Sequence, residues 1–239
     1  FGVPTMYHRL ASSPRVGELA RLRLCVSGSA PLSAALHRAL ETSAGVRVLE
    51  RYGMTETVML VSNPYDGERR AGTVGFPLPG VELRLAQGDR GEIEVRGPNV
   101  FGGYWNRPEI SDVCFTDDGW FRTGDLGEVD PDGYVRIVGR SKELIISGGF
   151  NVYPREVEDV LAEHPAIAEV AVAGRPSSEW GEEVVAFVVL REGHAAPEVA
   201  ELRDWARDRL AAYKLPRGLV VMDALPRNAL GKVVKGDLP

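Results

Sequence analysis

Near residue 70 the apolar pattern of this chain changes period, and that change sets what it can fold into. Upstream, LRLCVS at residues 22–27 reads as a short buried strand followed by a turn at residues 28–31. Ser33 then suits the N-cap of a helix running to about Ser43, and residues 46–49 read as a second strand. Strand, helix, strand is the grammar of a parallel α/β layer. Downstream, VELRLA (81–86), GEIEVRG (91–97), GWFRTGDLGEV (119–129) and GYVRIVG (133–139) are short alternating segments parted by turns such as Asp130-Pro131-Asp132-Gly133. That pattern predicts an antiparallel, barrel-like region over residues 70–140. A short helix is expected after Asn106-Arg107-Pro108.

A third region, residues 141–239, carries its own core. Pro154 opens a helix to Glu163 with Val157, Val160 and Leu161 on one face and Pro165 beyond its end. Residues 167–173 alternate as a strand. VVAFVVL at 184–190 is apolar throughout, as a central strand must be. Leu202, Trp205, Ala206 and Leu210 mark an amphipathic helix, and residues 219–222 a last strand. The fold class expected is α/β. An α/β part (residues 1–69) and the antiparallel region form the C-terminal part of a large domain, followed by a small α+β domain.

Of 239 residues, 44% are hydrophobic and 26% charged, with net charge −6 and no run of Lys or Arg. That speaks against a nucleic-acid partner. No apolar stretch approaches the ~20 residues of a membrane span, and FGVPTMYHRL is no signal peptide. The start reads like the middle of a domain. Cys25 and Cys114 lie far apart without a CxxC, as reduced, mostly buried thiols of a cytoplasmic protein would. The four histidines (8, 37, 164, 194) lack metal-ligand spacing and are read as surface or capping residues.

Four glycine-punctuated polar stretches carry the chemistry. YGMTET (52–57) follows a strand, where parallel α/β folds bind ligands. Tyr52 can stack on a purine, Gly53 admits a close backbone approach, Thr55 offers a hydroxyl to a phosphate and Glu56 can hold Mg²⁺. A plain turn with a capping Thr is the alternative. In FRTGDL (121–126), Asp125 follows a turn-forming glycine and could accept both hydroxyls of a ribose, or could simply sit in a hairpin. Arg140 could reach the same ribose or a phosphate, or lie on the surface. The pair Gly148-Gly149 after ELII is either a hairpin turn or a wall thin enough for a long cofactor arm. Lys232, behind Gly231, is a surface lysine or a point charge reaching into a cleft.

Taken in order, SGSAPL (27–32), YGMTET, GEIEVRG, FRTGDL, GRSKELIISGGFNVYPREVE (139–158) and PRNALGK (226–232) resemble the superfamily of acyl-CoA synthetases, peptide-synthetase adenylation domains and luciferases. The resemblance covers nearly the whole chain. It implies that Gly28, Ser29, Ala30 and Pro31 line the adenine and acyl region, that Tyr52 packs on adenine, that Thr55 touches the α-phosphate and that Glu56 binds Mg²⁺. Asp125, supported by Arg140, would hold the ribose. Lys142 would be the hinge, Gly148 and Gly149 would line the pantetheine tunnel, and Lys232 would be the catalytic lysine of adenylation. ATP, Mg²⁺ and coenzyme A are the implied cofactors, and a small carboxylic acid the substrate.

Arg51 bears on which acid. A cation facing an acyl pocket needs an opposite charge, which a second substrate carboxylate would supply; otherwise Arg51 pairs with Glu50 or faces solvent. The stretches GVPTMYHRL, LERYGMTET and NPYDGERRAGTVGFPLPGVELRL are closest to malonyl-CoA synthetases, so malonate or methylmalonate is the expected substrate, with Arg51 and Ser29 facing it. A fatty or aromatic acyl-CoA ligase, a carrier-loading adenylation domain and a non-catalytic nucleotide-binding remnant share these motifs. The superfamily's Ser/Thr/Gly-rich loop for the β- and γ-phosphates has no counterpart here. The expectation is that this stretch alone adenylates poorly without an N-terminal portion.

Overall fold

A computed structural model describes residues 1–229 and 231–239. The chain divides into two compact units, Phe1–Ile137 and Val138–Pro239.

In the first unit, helix α1 (Pro4–Ala11) precedes strand β1 (Val26–Ser27), helix α2 (Ala34–Ala44) and strand β2 (Leu49–Tyr52). Ser33 accepts a hydrogen bond from the Leu36 amide, and Gly45 ends α2 in the left-handed conformation. Strands β1 and β2 run parallel, with Val26 beside Leu49. Both strands differ from expectation. Residues 22–25 are not strand, and Leu22 lies 56% exposed. The second strand sits three residues later than expected, because its partners, Val26 and Ser27 on one side and Val61 and Ser62 on the other, lie beside residues 49–52. Tyr52 therefore ends β2 rather than following it. Strands β3 (Val61–Ser62) and β4 (Phe76–Pro77) extend the sheet antiparallel.

A second sheet holds β5 (Glu82–Leu85), β6 (Arg90–Arg96), β7 (Phe121–Val129) and β8 (Val135–Arg140) in that order, with helix α3 (Pro108–Cys114) between β6 and β7. Leu60, Val61, Val74, Ile93, Val95, Phe121 and Val135 form a core between the two sheets. Another core, under α2, joins Tyr7, Cys25, Leu32, Leu40 and Val48.

His37 corrects the reading of the histidines as surface or capping residues. It is 2% exposed, and its Nε2–H donates to the Val48 carbonyl at 3.0 Å. Burial pushes its pKa down. The buried face of α2 carries an imidazole where the pattern suggested none. Cys25 is buried and Cys114 half-buried, both free.

The second unit is built on a five-stranded sheet. A hairpin of β9 (Ile145–Ser147) and β10 (Phe150–Val152) leads into helix α4 (Pro154–Leu161), then β11 (Ile167–Ser177) and β12 (Gly181–Leu190). Helix α5 (Val199–Ala206) and strand β13 (Gly218–Val221) follow, and β13 pairs parallel with β12. The continuous apolar run of β12 is explained by cores on both its faces. Val184, Ala186 and Val188 join α4 and α5, while Val185 and Phe187 meet Leu225 and Leu238. Among the described residues no helix is long and apolar enough to cross a membrane.

Candidate functional site

The 28–31 loop, the turn after Tyr52 and a bulge in β7 meet at the end of β2. Strand side chains alternate between faces, so Glu50 and Arg51 point opposite ways. Glu50 is 3% exposed, and its Oε1 accepts the Leu32 amide at 2.8 Å, tying the 28–31 loop to β2. Ser29 within that loop has φ +69 and is exposed. Gly28 is buried, Ala30 half-buried and Pro31 exposed.

Arg51 is half-buried, with its guanidinium carbon 4.8 Å from the centre of the Phe1 ring. Its Nε is closed off from solvent and has no hydrogen-bond partner among the described residues. A cationic N–H left this way seeks an acceptor.

Tyr52 donates its hydroxyl to Asp125 Oδ2 at 2.6 Å, across 73 residues of sequence. Asp125 is 4% exposed, and a bulge aims it. On β6, Ile93 alone lies opposite Thr123, Gly124 and Asp125, because Glu92 pairs with Leu126 and Glu94 with Arg122. Gly124 takes φ +71 there, its amide donating to Glu92 Oε1. Thr123 Oγ1 donates to the Ile93 carbonyl and accepts the Asp125 amide. Bulges of this kind re-aim side chains beside functional sites.

Past Tyr52 the chain turns sharply. A Cβ on Gly53 would sit 1.9 Å from the Val58 carbonyl oxygen, so only glycine fits. Val58 itself holds φ +57, a strained conformation for a β-branched residue. The turn leaves Thr55 exposed and Glu56 half-buried, with Glu56 Oε1 accepting the Tyr104 hydroxyl at 2.7 Å. That bond raises the Tyr104 pKa to about 12, with burial adding to it. Among the described residues no group of three or more His, Cys, Asp or Glu could cage a metal. A single carboxylate beside an exposed hydroxyl instead suits a hydrated Mg²⁺ held mostly by phosphate oxygens. A cavity of about 300 Å³ lined by Thr73, Arg90, Glu128 and Tyr134 contains none of these residues.

In the second unit, Arg140 and Lys142 are exposed, Lys142 in a short 3-10 turn at Ser141–Glu143. Gly148 and Gly149 have φ +59 and +81 and close the β9–β10 hairpin. A two-residue turn of that hand needs positive φ at both positions. A side chain at Gly148 would also meet the Trp180 ring at 2.8 Å. Lys232 is exposed on a loop held by its neighbours: its amide donates to Asn228 Oδ1, and Arg227 bridges the Gly231 carbonyl and Glu169.

Tyr52, Gly53, Thr55, Glu56, Arg51, Asp125 and the 28–31 loop thus belong to the first unit, and Arg140, Lys142, Gly148, Gly149 and Lys232 to the second. The sequence reading missed Glu50 as the anchor of the 28–31 loop, and missed Thr123 and Tyr104 altogether. A carboxylate inside the apolar strand signal was the one available hint for Glu50. Tyr104 lies 48 residues from its partner, and no local pattern marks it.

Comparison with known proteins follows the same division. A family model described as AMP-binding enzyme matches residues 1–105, and one described as AMP-binding enzyme C-terminal domain matches residues 156–232. The malonate–CoA ligase of Arabidopsis thaliana is 44% identical over 262 residues, covering 99% of this chain and 43% of that protein. The solved structure of ATP-bound MatB from Rhodopseudomonas palustris is 49% identical with a TM-score of 0.93, covering 98% of this chain and 49% of that one. A malonyl-CoA ligase in a ternary product complex with methylmalonyl-CoA and AMP is 51% identical with a TM-score of 0.57, covering 95% and 52%. The chain spans less than half the length of the curated relatives it matches.

Proposed function

We propose that this chain, which belongs to the AMP-binding enzyme family, works within an AMP-forming acid–CoA ligase that takes malonate or methylmalonate. The observation that carries the nucleotide half of this reading is the meeting of Tyr52 and Asp125. Two residues far apart in sequence are joined at a strand end and a bulge, an aromatic face beside a carboxylate. That is the pair a nucleoside needs for its base and its ribose.

In this reading a substrate carboxylate oxygen attacks the α-phosphorus of ATP, and the bond to pyrophosphate breaks. The CoA sulfur, losing its proton, then attacks the acyl carbon of the adenylate, and AMP leaves. Neither step requires a covalent enzyme intermediate, so positioning and charge neutralisation supply the acceleration. Tyr52 and Asp125 hold the nucleoside, with Arg140 in support and the 28–31 loop alongside. Thr55 hydrogen-bonds the α-phosphate. Glu56 orients Mg²⁺, which supplies charge neutralisation to the phosphates. Lys232 brings an ammonium to the developing charge of adenylation. Gly148 and Gly149 leave room for the pantetheine arm, and Lys142 is the hinge. The relatives that match over nearly all of this chain include proteins named as malonate–CoA ligases, which supports CoA as acceptor.

Arg51 supports a dicarboxylate. Its shielded Nε has no acceptor among the described residues, and the distal carboxylate of malonate offers one. Pyrophosphate exchange by the whole protein, across a panel of mono- and dicarboxylic acids, tests the proposal. Exchange should be strongest with malonate or methylmalonate. Exchange driven best by long-chain or aromatic monocarboxylates would refute the substrate class, and no exchange with any acid would refute the activity.

A further inference from the structure

The loop that carries Glu56 is held in part from outside. Val58 sits strained at φ +57, and beside two local bonds, from the Thr57 amide to the Met54 carbonyl and from the Leu60 amide to the Tyr52 carbonyl, the loop is held by one distant segment. Asn99 Nδ2 donates to the carbonyls of Thr57 and Met59, at 2.7 and 3.0 Å. The Phe101 amide donates to the Glu56 carbonyl at 2.8 Å. Residues 99–104 therefore form a strap over residues 56–59. Tyr104 is the member of the strap that reaches a functional side chain, through its 2.7 Å bond to Glu56 Oε1.

Tyr104 is itself held from two directions. Its ring packs edge-on against Phe101, with centroids 4.8 Å apart. Its amide donates to Ser111 Oγ, and that hydroxyl donates to the Arg107 carbonyl. A phenol anchored at ring and backbone, aimed at one carboxylate oxygen, fixes the rotamer of that carboxylate.

We propose that Tyr104 is a positioning residue for Glu56: its hydroxyl occupies Oε1 and so presents Oε2 to the cation that accompanies the nucleotide. This rests on the assignment of Glu56 as the cation-facing carboxylate. A carboxylate free to rotate must give up that freedom on binding, whereas a preset one need not. Tyr104 acts on the cation alone, because the nucleoside contacts are made by other residues.

The test is direct binding of Mn²⁺ by the whole protein in the presence of saturating ATP, with free Mn²⁺ read by electron paramagnetic resonance. Tyr104→Phe keeps the ring and removes the hydroxyl. It should weaken Mn²⁺ about tenfold, the scale of one charge-assisted hydrogen bond at a partly exposed site. Glu56→Gln should weaken it at least as much, and the double variant no further than Glu56→Gln alone. Affinity for ATP without metal should stay within about twofold in Tyr104→Phe, a readout that a general packing role would move. If Glu56→Gln weakens Mn²⁺ while Tyr104→Phe binds it like the parent, the positioning role is overturned. If Glu56→Gln has no effect, the assignment of Glu56 falls, and this inference with it. A Tyr104→Phe variant that loses metal-free ATP affinity equally would reduce Tyr104 to a packing residue.

Discussion

At Arg51 a single side chain meets a choice the rest of the site does not make. Its charge is half-buried and its Nε lacks an acceptor among the described residues, so in the proposed reading a monocarboxylate would leave that N–H unsatisfied while a dicarboxylate would pair it. Replacing Arg51 with Ala in the whole protein should raise the malonate KM by roughly ten- to a hundredfold, the scale of one charge-assisted hydrogen bond. The discrimination against monocarboxylates should narrow, and unchanged malonate kinetics would remove Arg51 from the acyl pocket. His37 gives a second residue-level prediction, about stability. Burial depresses its pKa, outweighing the Val48 carbonyl that favours the charged ring. The unfolded chain therefore takes up a proton near pH 6.5 that the folded one refuses until lower pH. Stability from this site is complete above about pH 6.5 and declines as the pH falls below it. His164, also depressed mainly by burial, adds in the same direction from the second unit. Thermal melts between pH 8 and 5 should show this decline, and His37→Gln should flatten part of it. A parallel decline in that variant would exclude His37 as a source.

The turn at residues 53–58, at the scale of one element, is where local and global demands conflict. Its sharpness brings the Val58 carbonyl against Gly53, and the chain accepts a positive φ at a valine to achieve it. Gly53→Ala should therefore unfold or remodel the loop, at a cost of several kcal/mol. The second unit, compact in its own right, should keep its own stability. Calorimetry of the whole protein should show the transition of the first unit shifted and that of the second in place; an unshifted first transition would mean that the backbone has room the structure denies. Elements whose signals are local were legible in the residues. Ser33 and Gly45 bound α2, Pro154 opens α4, the apolar run 184–190 is the central strand, and Gly148-Gly149 close a hairpin. Strand ends were less so. Residues 22–25 have strand-like composition but lie outside β1, whose ladder with β2 pairs Val26 with Leu49 and Ser27 with Glu50.

For the molecule as a whole, the proposed reaction uses residues from both units, and its two half-reactions should respond differently to one change. Lys232 lies exposed on a loop braced by Arg227 and Asn228. Lys232→Ala in the whole protein should slow adenylate formation about 10²–10³-fold, the loss seen when one preorganised donor is removed. Thioester formation from added acyl-AMP should remain near the parent rate, measured by CoA consumption. Equal loss in both steps would refute the role given to Lys232. The order of motifs along the chain established the family and the two kinds of layer, because glycines, caps and apolar periods act over a few residues and are readable one at a time. The joining of Tyr52 to Asp125, the turning of Glu50 towards Leu32, the strap from Asn99 to Tyr104 and the burial of His37 were settled in three dimensions. Each depends on which segments the cores and sheet registers bring side by side, and a contact across tens of residues leaves no periodic mark on the chain that makes it.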